Sequence, residues 1–375
     1  MKIVITGGHH SSALPVIEEF RSKYPGTEIH WFGHRRSAAS DKHDSLEFKE
    51  ITSLNIPFYD LKAGKVYKTF NIIRLLRVPL GFLQACKWLL KIKPDVILSF
   101  GGYLAVPTVI SGWFLGIPSI THEQTVVVGY ANKLLSKFVK KICIGWKDSE
   151  KFFPASKVIY SGVPLRKSVF EIGSDSFNSD NNLPTIYITA GKAGSHTINE
   201  VVKEALPELL SICNVIHQSG DHSKFNDYDQ LEMIYKEVGG LANGKLYLRK
   251  FVMDDEIGEA FNKASVVVSR SGAHTITELL ALEKPCVLIP IPWVSHNEQK
   301  ENALILQKYG LAEILEEKDL NEGSLFASVT KVLGHLQNYK LNDGGAASAV
   351  NLKAPEIIAY ETYELADKLA QSNTK

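Results

Sequence analysis

The sequence predicts an α/β protein built from two doubly wound, Rossmann-like domains that face each other across a cleft. Its 375 residues exceed the roughly 250–300 at which a single core stops growing. Apolar strands alternate with helical stretches along most of the chain, as in proteins with parallel sheets. The alternation restarts midway, since IVITGG and IYITAG each lead into a helix. Such domains bind ligands at the carboxyl ends of their strands.

The first domain is predicted over residues 1–165 and contains six strands. These strands are KIVIT, EIHWFG, DVILSF, SITHEQ, KICIGW and VIYSG. The uncharged run 96–121 is long enough to cross a bilayer, but glycines and prolines divide it. We interpret it as a buried strand, a glycine turn, a short apolar helix and a second strand, because buried parallel strands are apolar on both faces.

The second domain is predicted over residues 166–350. Near its start lies EIGSDSFNSDNNLPT, a polar stretch with the composition of a linker. Five strands follow, with the sequences TIYIT, NVIHQSG, KLYLRKF, SVVVSRSG and CVLIPIP. A last helix is predicted at about 353–371, in the run KAPEIIAYETYELADKL.

The charges of the chain are unevenly distributed, although the formal net charge is only +1. Residues 1–165 carry 22 Lys and Arg against 12 Asp and Glu, and the remainder carries 20 against 29. The segment 61–94 has eight basic residues, no acidic residue and many large apolar ones. With Trp113 nearby, it is typical of a helix on an anionic membrane surface. A helix packed on its own sheet with a solvated basic face explains the pattern equally well. No nucleic-acid motif accompanies it.

Several other chemistries are disfavoured. The turn GGHHSS lacks the G-x-G-x-x-G spacing of a dinucleotide site, although Arg35 and Arg36 could hold a 2′-phosphate. The four cysteines are far apart in sequence, which indicates buried thiols rather than disulfides or a zinc site. Asp227 and Asp229 have the D-x-D spacing of metal-dependent transferases, but their place at a helix start favours N-capping. We therefore predict neither a metal nor a cofactor.

Three loops of the second domain have the pattern of a nucleotide-sugar site. In AGKAGSHTIN a glycine turn leads into a helix whose amino terminus can hold a diphosphate, with Lys192 adding charge. In SRSGAHTITELLA the helix bears Glu278, which either accepts from ribose hydroxyls or only complements the helix dipole. In PIPWVSHNEQKENA, Glu298 and Gln299 can bond sugar hydroxyls. Three such loops on one sheet edge are more specific than any one of them.

The motifs GGYLAVP, HEQ with NK eight residues later, SGVPLR, RSGAHTITE and EQKENA follow one another along the chain. In this order they resemble the MurG family of bacterial N-acetylglucosaminyltransferases, which has the GT-B fold. The resemblance is densest at 95–166 and 187–303. It implies transfer of N-acetylglucosamine from UDP-N-acetylglucosamine to lipid I, the undecaprenyl-diphospho-muramoylpentapeptide, to make lipid II for peptidoglycan synthesis.

The same resemblance implies further properties. The linkage would be β, formed with inversion and without a metal or cofactor. The protein would be peripheral, bound to the cytoplasmic face of the cell membrane through residues 61–94 and Trp113. The last helix would cross back to the first domain.

The resemblance also assigns residues to the two substrates. Glu278 would bind the ribose, and a backbone group near Met253 would meet the uracil. The residues expected to contact the UDP-sugar are His9, His10, Ser11, Thr125, Arg166, Lys192, Met253, Ala273, His274, Thr275, Glu278, Glu298 and Gln299. The residues expected to face the diphosphate of the lipid-linked acceptor are Gly7, Gly8, Ser12, Gly101, Gly102 and Tyr103.

The opening turn departs from the family's GGTGGH pattern. Aligned on Pro15, GGHHSS places Ser12 where the family has its histidine, and His9 and His10 come earlier. Inverting transfer is helped by a base that takes the proton of the acceptor hydroxyl, and a neutral histidine suits this role at pH 7. We hypothesise that His10 is this base; alternatively, both histidines only cap the helix or contact phosphate. His122 is a rival that is expected instead to orient its loop.

Two more departures keep other functions open. Thr125 stands where the family carries an asparagine, and AGKAG replaces GGSQG. A UDP-sugar epimerase shares the double Rossmann plan but needs no lipid acceptor. A related transferase with another lipid-linked acceptor, or a non-catalytic homologue that binds nucleotide sugar, also fits the residues. The donor half of the prediction is therefore supported by more motifs than the acceptor half.

Overall fold

The computed structural model divides into two compact units, Met1–Pro164 with Asn351–Lys375, and Leu165–Val350. Each unit contains one wholly parallel sheet, as the sequence predicts. The residues described are 1–36, 44–64, 72–191, 194–222, 224–240, 242–294, 297–342 and 350–373.

The first unit has a seven-stranded sheet with the order β3-β2-β1-β4-β5-β6-β7. Its strands are β1 (Lys2–Thr6), β2 (Glu28–Gly33), β3 (Phe58–Asp60), β4 (Val96–Ser99), β5 (Ser119–Glu123), β6 (Lys141–Ile144) and β7 (Val158–Tyr160). Its helices are α1 (His10–Lys23), α2 (Leu46–Ser53), α3 (Ile72–Ile92), α4 (Ala105–Phe114) and α5 (Tyr130–Leu135), and a last helix returns from the carboxyl terminus. The sheet is buried on both faces, since Ile3, Val4 and Ile5 of β1 are all fully buried.

The uncharged run 96–121 forms part of this core, as predicted. It contains β4, a turn at Gly101 and Gly102, the helix α4 and β5. Among the described residues, no helix is both long and apolar enough to span a bilayer. Trp113 and Phe114, at the end of α4, are 50% and 74% exposed.

The second unit has a six-stranded sheet with the order β10-β9-β8-β11-β12-β13. Its strands are β8 (Thr185–Thr189), β9 (Asn214–Gln218), β10 (Leu246–Arg249), β11 (Ala264–Ser269), β12 (Cys286–Leu288) and β13 (Ala312–Ile314). Its helices are α6 (His196–Ile212), α7 (Asp227–Val238), α8 (Ile257–Lys263), α9 (Ala273–Ala281), α10 (Glu298–Lys308) and α11 (Glu322–Gly334). Strand order reverses between β8 and β11, and in sheets of this kind ligands bind outside the carboxyl ends of such strands.

Two edge strands were missed, and one prediction about local structure was wrong. The short edge strands β3 and β13 were not predicted, because three residues are too few to show a period. The polar stretch from Glu171 to Thr185 is not a linker, since it packs on the second unit. Glu259 accepts from the backbone N–H of Ser176 and Phe177 at 2.7 and 3.0 Å, and Phe177 is 1% exposed.

The last helix, α12 (Ala354–Asn373), packs on α1 of the first unit. Its residues Ile358 and Ala359 are fully buried in the core that contains β1. The rings of Tyr24 and Tyr363 stack with centroids 4.4 Å apart. The carboxyl terminus therefore completes the hydrophobic core of the first unit.

Candidate active site

The turn after β8 has the backbone geometry of an anion-binding loop. Gly191 and Gly194 have φ of +75° and +70°, a conformation that L side chains rarely adopt. A Cβ at Gly194 would lie 2.1 Å from the backbone oxygen of Ser219, so glycine is required at this position. Ser195 then caps α6 by accepting from the N–H of Ile198. Lys192, predicted to add charge here, lies outside the described residues.

Gln218, at the end of β9, fixes this turn and was not predicted from the sequence. Its amide nitrogen donates to Thr189 Oγ1 at 3.2 Å and to the Gly191 carbonyl at 2.8 Å. Its amide oxygen accepts from the Val252 N–H at 2.7 Å, in the loop after β10. One buried side chain therefore connects the loops after β8, β9 and β10. A glutamine at a strand end was the only signal available in the sequence.

Arg270, in the loop after β11, connects the loops that follow β8 and β12. Its guanidinium donates to Ser195 Oγ at 2.9 Å and to the Ile289 carbonyl at 3.1 Å. It also forms a largely buried ion pair with Glu317. Burial lowers the pKa of Arg270, and Glu317 opposes that effect. The arginine therefore holds the amino terminus of α6 beside the end of β12.

The helix α9 begins at Ala273, and Gly272 is its N-cap. The first-turn residues Ala273, His274 and Thr275 are those predicted to hold the diphosphate. First-turn N–H groups have no partner within their own helix, and the helix dipole favours an anion there. The space beside Gly272 is open, because the nearest heavy atom to an added Cβ is Thr275 Oγ1 at 3.9 Å. The geometry suits a phosphate group.

Glu278, the predicted ribose ligand, is 6% exposed and lies beside Arg166. The Arg166 guanidinium donates to Glu278 at 3.4 Å and to Asp254 at 2.8 Å. Burial opposes the charge of Arg166, but Glu278 and Asp254 together raise its pKa. Arg166 thus ties α9 to the loop that contains Met253. Its predicted contact with diphosphate stays a prediction.

Met253, predicted to meet the uracil through its backbone, is 60% exposed. Its carbonyl already accepts from the N–H groups of Glu256 and Ile257, at 3.1 and 2.9 Å, at the start of α8. This leaves the amide N–H of Met253 as the backbone group that can meet a ligand.

Gln299 and Glu298 open α10 after β12. The side-chain oxygen of Gln299 accepts from the Ile291 N–H at 3.0 Å, and its backbone oxygen accepts from Ser271 Oγ at 2.7 Å. Asn302 adds a bond to the Ser271 carbonyl at 3.0 Å. These bonds hold the loops after β11 and β12 together. The side-chain amide of Gln299 can therefore offer a sugar only its N–H donors.

The D-x-D motif does not cap its helix, contrary to the prediction. The N-cap of α7 is Asn226, and it makes no side-chain capping bond. The Asp227 carboxylate instead accepts from Asn199 and lies 2.9 Å from His196 Nδ1. With Glu200, Asp227 and His196 have the spacing of metal ligands among the described residues. The ammonium of Lys203 already lies against both carboxylates, so we assign no metal to them.

In the first unit, the loops after β1 and β4 are in direct contact. The Gly8 N–H donates to the Gly101 carbonyl at 3.1 Å. A Cβ at Gly7 would lie 2.9 Å from the backbone of Phe100, and one at Gly102 would lie 3.1 Å from the nitrogen of Gly8. Tyr103 follows, 5.6 Å from the ring of His34. The glycines predicted to face the acceptor diphosphate are therefore also needed for this close approach.

Ser12 and Thr125 bond to residues of their own unit, and their predicted ligand contacts stay predictions. Ser12 is fully buried, and its hydroxyl donates to Gln124 at 2.7 Å. Thr125 is 5% exposed, and its hydroxyl donates to Glu123 at 2.7 Å. Both side chains therefore position loops from within the unit. His122 is also buried, and it bonds the Gly162 carbonyl at 3.0 Å.

His9 and His10 differ in their surroundings. His9 is exposed, Ser11 is half-buried, and His10 is the first residue of α1. Nε2 of His10 lies 3.0 Å from Oε2 of Glu50 on α2. The hypothesis that His10 acts as a base is not tested by this geometry, but the histidine has a carboxylate partner that the sequence did not indicate.

The predicted membrane-binding segment is described from residue 72 onward within α3. This helix buries Ala85, Leu89 and Ile92, so it packs on its own unit. Its opposite face exposes Leu83 and Leu90, at 69% and 59%. We name the set Leu80, Leu83, Lys87, Leu90, Lys91, Trp113 and Phe114 the α3–α4 surface. The helix therefore packs on its own unit and also exposes apolar side chains, and its contact with a membrane stays a prediction.

Comparison with known proteins finds two matching domain families. The glycosyltransferase family 28 N-terminal domain matches residues 4–144, and the family 28 C-terminal domain matches residues 185–355. A relative from Lachnospira eligens is 31% identical over 91% of this chain and 93% of its own. It is named UDP-N-acetylglucosamine–N-acetylmuramyl-(pentapeptide) pyrophosphoryl-undecaprenol N-acetylglucosamine transferase.

Two solved structures share the fold. MurG of Acinetobacter baumannii has a TM-score of 0.72 at 22% identity, with coverage of 97% of this chain and 99% of that one. The UDP-N-acetylglucosamine 2-epimerase of Neisseria meningitidis has a TM-score of 0.63 at 16% identity and the same coverage. At these identities the two structures establish the fold and do not separate a transferase from an epimerase.

Proposed function

The chain belongs to the MurG family of glycosyltransferases, and we propose that it transfers N-acetylglucosamine from UDP-N-acetylglucosamine to lipid I, forming lipid II. The 31% identity to the Lachnospira eligens transferase, over nearly the full length of both chains, carries this proposal. The loops after β8, β11 and β12 lie at the carboxyl edge of the second sheet. They support the proposal for the UDP-sugar donor, because they offer helix amino termini together with the buried carboxylate of Glu278.

For the donor, the first turn of α9 binds the diphosphate through backbone N–H groups. Glu278 accepts hydrogen bonds from the ribose hydroxyls, and the guanidinium of Arg166 lies beside that buried carboxylate. The Met253 N–H meets the uracil. Gln299 donates to hydroxyls of the transferred sugar, with Glu298 beside it at the start of α10.

The chemistry is a substitution at the anomeric carbon of the donor sugar. The acceptor hydroxyl oxygen forms a bond to this carbon, while the bond from carbon to the diphosphate oxygen breaks. The bonding electrons leave with UDP, whose charge is stabilised by the helix amino terminus. The hydroxyl proton passes to His10, and attack opposite the leaving group gives the β linkage with inversion. No metal or cofactor takes part.

The acceptor is bound by the first unit. Its diphosphate meets the glycine loops at Gly7–Gly8 and Gly101–Gly102, with His9 exposed beside them. The polyprenyl chain stays in the membrane, and the α3–α4 surface lies on anionic lipid with its apolar side chains among the headgroups. The helices α3, α4 and α5 contain no acidic residue, which favours this orientation. The protein is thus peripheral, on the cytoplasmic face where UDP-sugars are found.

The test is to incubate the purified protein with UDP-N-acetylglucosamine, with and without a short-chain lipid I analogue. We expect both UDP release and disaccharide formation to depend on the acceptor, and to persist in EDTA. Formation of N-acetylmannosamine from the donor alone would instead indicate an epimerase. Tight donor binding without any product would favour another acceptor or a non-catalytic role.

The membrane proposal has a separate test. Replacing Leu83 and Phe114 by serine removes exposed apolar area without touching the core. We expect weaker cosedimentation with vesicles containing anionic phospholipid, and unchanged turnover of a soluble acceptor analogue. The variant Met233→Ser is a matched control, since Met233 is 62% exposed in the second unit. Equal vesicle binding by all variants would contradict the assignment of this surface.

A further inference from the structure

We infer that Gln218, at the carboxyl end of β9, is a positioning residue that couples the loop after β10 to the anion-binding turn after β8. The inference rests on the proposed function, in which the loop after β10 meets the uracil of the donor through Met253. It adds a residue that contacts no substrate itself, and through which recognition of the base strengthens binding of the diphosphate.

Every polar atom of the Gln218 side chain is engaged by the protein. Its oxygen accepts from the Val252 N–H at 2.7 Å, and its nitrogen donates to Thr189 Oγ1 at 3.2 Å and to the Gly191 carbonyl at 2.8 Å. These partners fix the orientation of the amide, because the Val252 N–H can only donate and the Gly191 carbonyl can only accept. The side chain is 5% exposed, so it acts on a ligand only through the loops that it holds.

The turn after β8 is closed by the same two acceptors. The Gly191 carbonyl also accepts from the Gly194 N–H at 3.1 Å, and Thr189 Oγ1 also accepts from the Gly191 N–H at 3.3 Å. An anion site of this kind needs several N–H groups that point to one place. Loss of Gln218 would therefore loosen the turn that leads into α6.

Met253 lies between two residues that are bonded to other elements. The N–H of Val252 donates to Gln218, and the carboxylate of Asp254 accepts from Arg166 at 2.8 Å. The Asp254 side chain is 72% exposed, so its ion pair contributes less than the buried bond to Gln218. Gln218 is therefore the main constraint on the peptide that precedes Met253.

The sheet explains why one side chain reaches both loops. The strand β9 pairs with β8 on one side and with β10 on the other, where Gln218 is in register with Arg249. A base that holds the loop after β10 in place also holds the group that bonds the Gln218 oxygen. The two N–H donors of the amide then stay aligned on the turn after β8. Such coupling is reciprocal, so a bound diphosphate also favours binding of the base.

The experiment measures the dissociation constants of uridine and of UDP for the full-length wild type and for Gln218→Met. Methionine keeps approximately the size of the side chain and removes all three hydrogen bonds. The ratio of the uridine constant to the UDP constant is the gain from the diphosphate. We expect the uridine constant to rise about fivefold, as for one net hydrogen bond. The gain should fall about tenfold, within the usual range for coupling between two sites.

The variant also has a kinetic signature. The KM for UDP-N-acetylglucosamine should rise, while kcat at saturation stays close to the wild-type value, because the bound donor restores the order that the variant lacks. Equal weakening of uridine and UDP in Gln218→Met, which leaves the gain unchanged, would overturn the inference.

Gln218→Glu separates the two halves of the side chain. Glutamate keeps an oxygen for the Val252 N–H but has no donor for Thr189 or Gly191. We expect uridine to bind as it does to the wild type and the diphosphate gain to fall. Because methionine carries no charge, a lower gain in both variants is not caused by charge repulsion. If Gln218→Met does not fold, Gln218→Glu decides, and an undiminished gain there contradicts the coupling.

Asn214→Leu is the matched control, since Asn214 is a fully buried amide at the amino end of the same strand. Its nitrogen donates to Ser179 Oγ at 3.1 Å and to the Leu183 carbonyl at 3.2 Å, and its oxygen accepts from the Lys245 N–H at 2.9 Å. We expect this variant to unfold at lower urea concentration, as Gln218→Met does, but to keep the wild-type diphosphate gain. If Asn214→Leu lowers the gain as much, the effect is general destabilisation and the inference is wrong.

Failure of the inference and failure of the proposed function give different results. If the wild type does not bind UDP, the proposal for the UDP-sugar donor fails, and the inference fails with it. If the wild type binds UDP and forms disaccharide while Gln218→Met keeps the full diphosphate gain, only the inference is wrong. The binding measurements need no acceptor, so they hold whichever lipid-linked sugar the protein uses.

Discussion

Replacing Gln299 by glutamate tests whether this residue reads the transferred sugar or only holds its loop. In the structure the amide oxygen accepts from the Ile291 N–H at 3.0 Å, and the amide N–H groups remain for a ligand. Glutamate retains an oxygen for Ile291 but has no donor at the second position. Gln299→Ala loses both interactions. The pair of variants therefore separates the two roles within one side chain.

The magnitudes follow from the number of bonds removed. A neutral hydrogen bond contributes about 1 kcal/mol net, and loss of one donor to a sugar hydroxyl lowers kcat/KM about fivefold. In Gln299→Ala the half-buried N–H of Ile291 also loses its acceptor, which costs about 1 kcal/mol of unfolding free energy. We expect no such loss in Gln299→Glu.

The assay measures kcat/KM for UDP-N-acetylglucosamine in both variants, together with their urea unfolding curves. We expect both variants to lose activity and only Gln299→Ala to lose stability. UDP binding, which does not involve the sugar, should be unchanged in Gln299→Glu. Wild-type kcat/KM in Gln299→Glu would refute the reasoning, because it would leave Gln299 with a purely structural role.

Three further predictions concern stability. Arg166→Met removes the buried ion pair between Arg166 and Glu278, so urea unfolding should show a loss of about 2 kcal/mol, with weaker UDP binding by calorimetry. Burial lowers the pKa of His217 to about 4, from an ordinary value of 6.5. The unfolded state therefore binds a proton that the folded state does not, and stability falls by up to about 3 kcal/mol between pH 6.5 and 4. His217→Gln should flatten that decline in unfolding free energy against pH, and an unchanged slope would contradict the assignment. Gly194→Ala should lower the melting temperature more than Gly191→Ala, because both have positive φ but only Gly194 lacks room for a Cβ.

The sequence by itself determined the fold class. Strands of a parallel sheet are buried on both faces, so runs such as KIVIT and SVVVS are continuously apolar and can be recognised locally. Glycines at the strand ends, including Gly7 and Gly191, indicated where the chain turns into helices. The strands at the sheet edges, β3 and β13, were missed because three residues leave no periodic pattern.

The order of the motifs was sufficient to predict the family, because the resemblance spans nearly the whole chain. It also indicated which loops form the candidate site. It did not indicate what each polar side chain does there. Ser12 and Thr125 bond to residues of their own unit, while their predicted ligand contacts stay predictions. Asp227, predicted to cap α7, bonds Asn199 of α6.

Only the tertiary structure decided which polar groups are partners. His10 and Glu50 are 40 positions apart in the sequence, and Ser12 and Gln124 are 112 apart, yet each pair is within about 3 Å. The identity of one residue carries no information about which distant residue will face it. Secondary structure follows from apolar periodicity over neighbouring residues, whereas a hydrogen bond requires two atoms within a few tenths of an ångström. That placement exists only once the helices α1 and α2 have packed on their sheet.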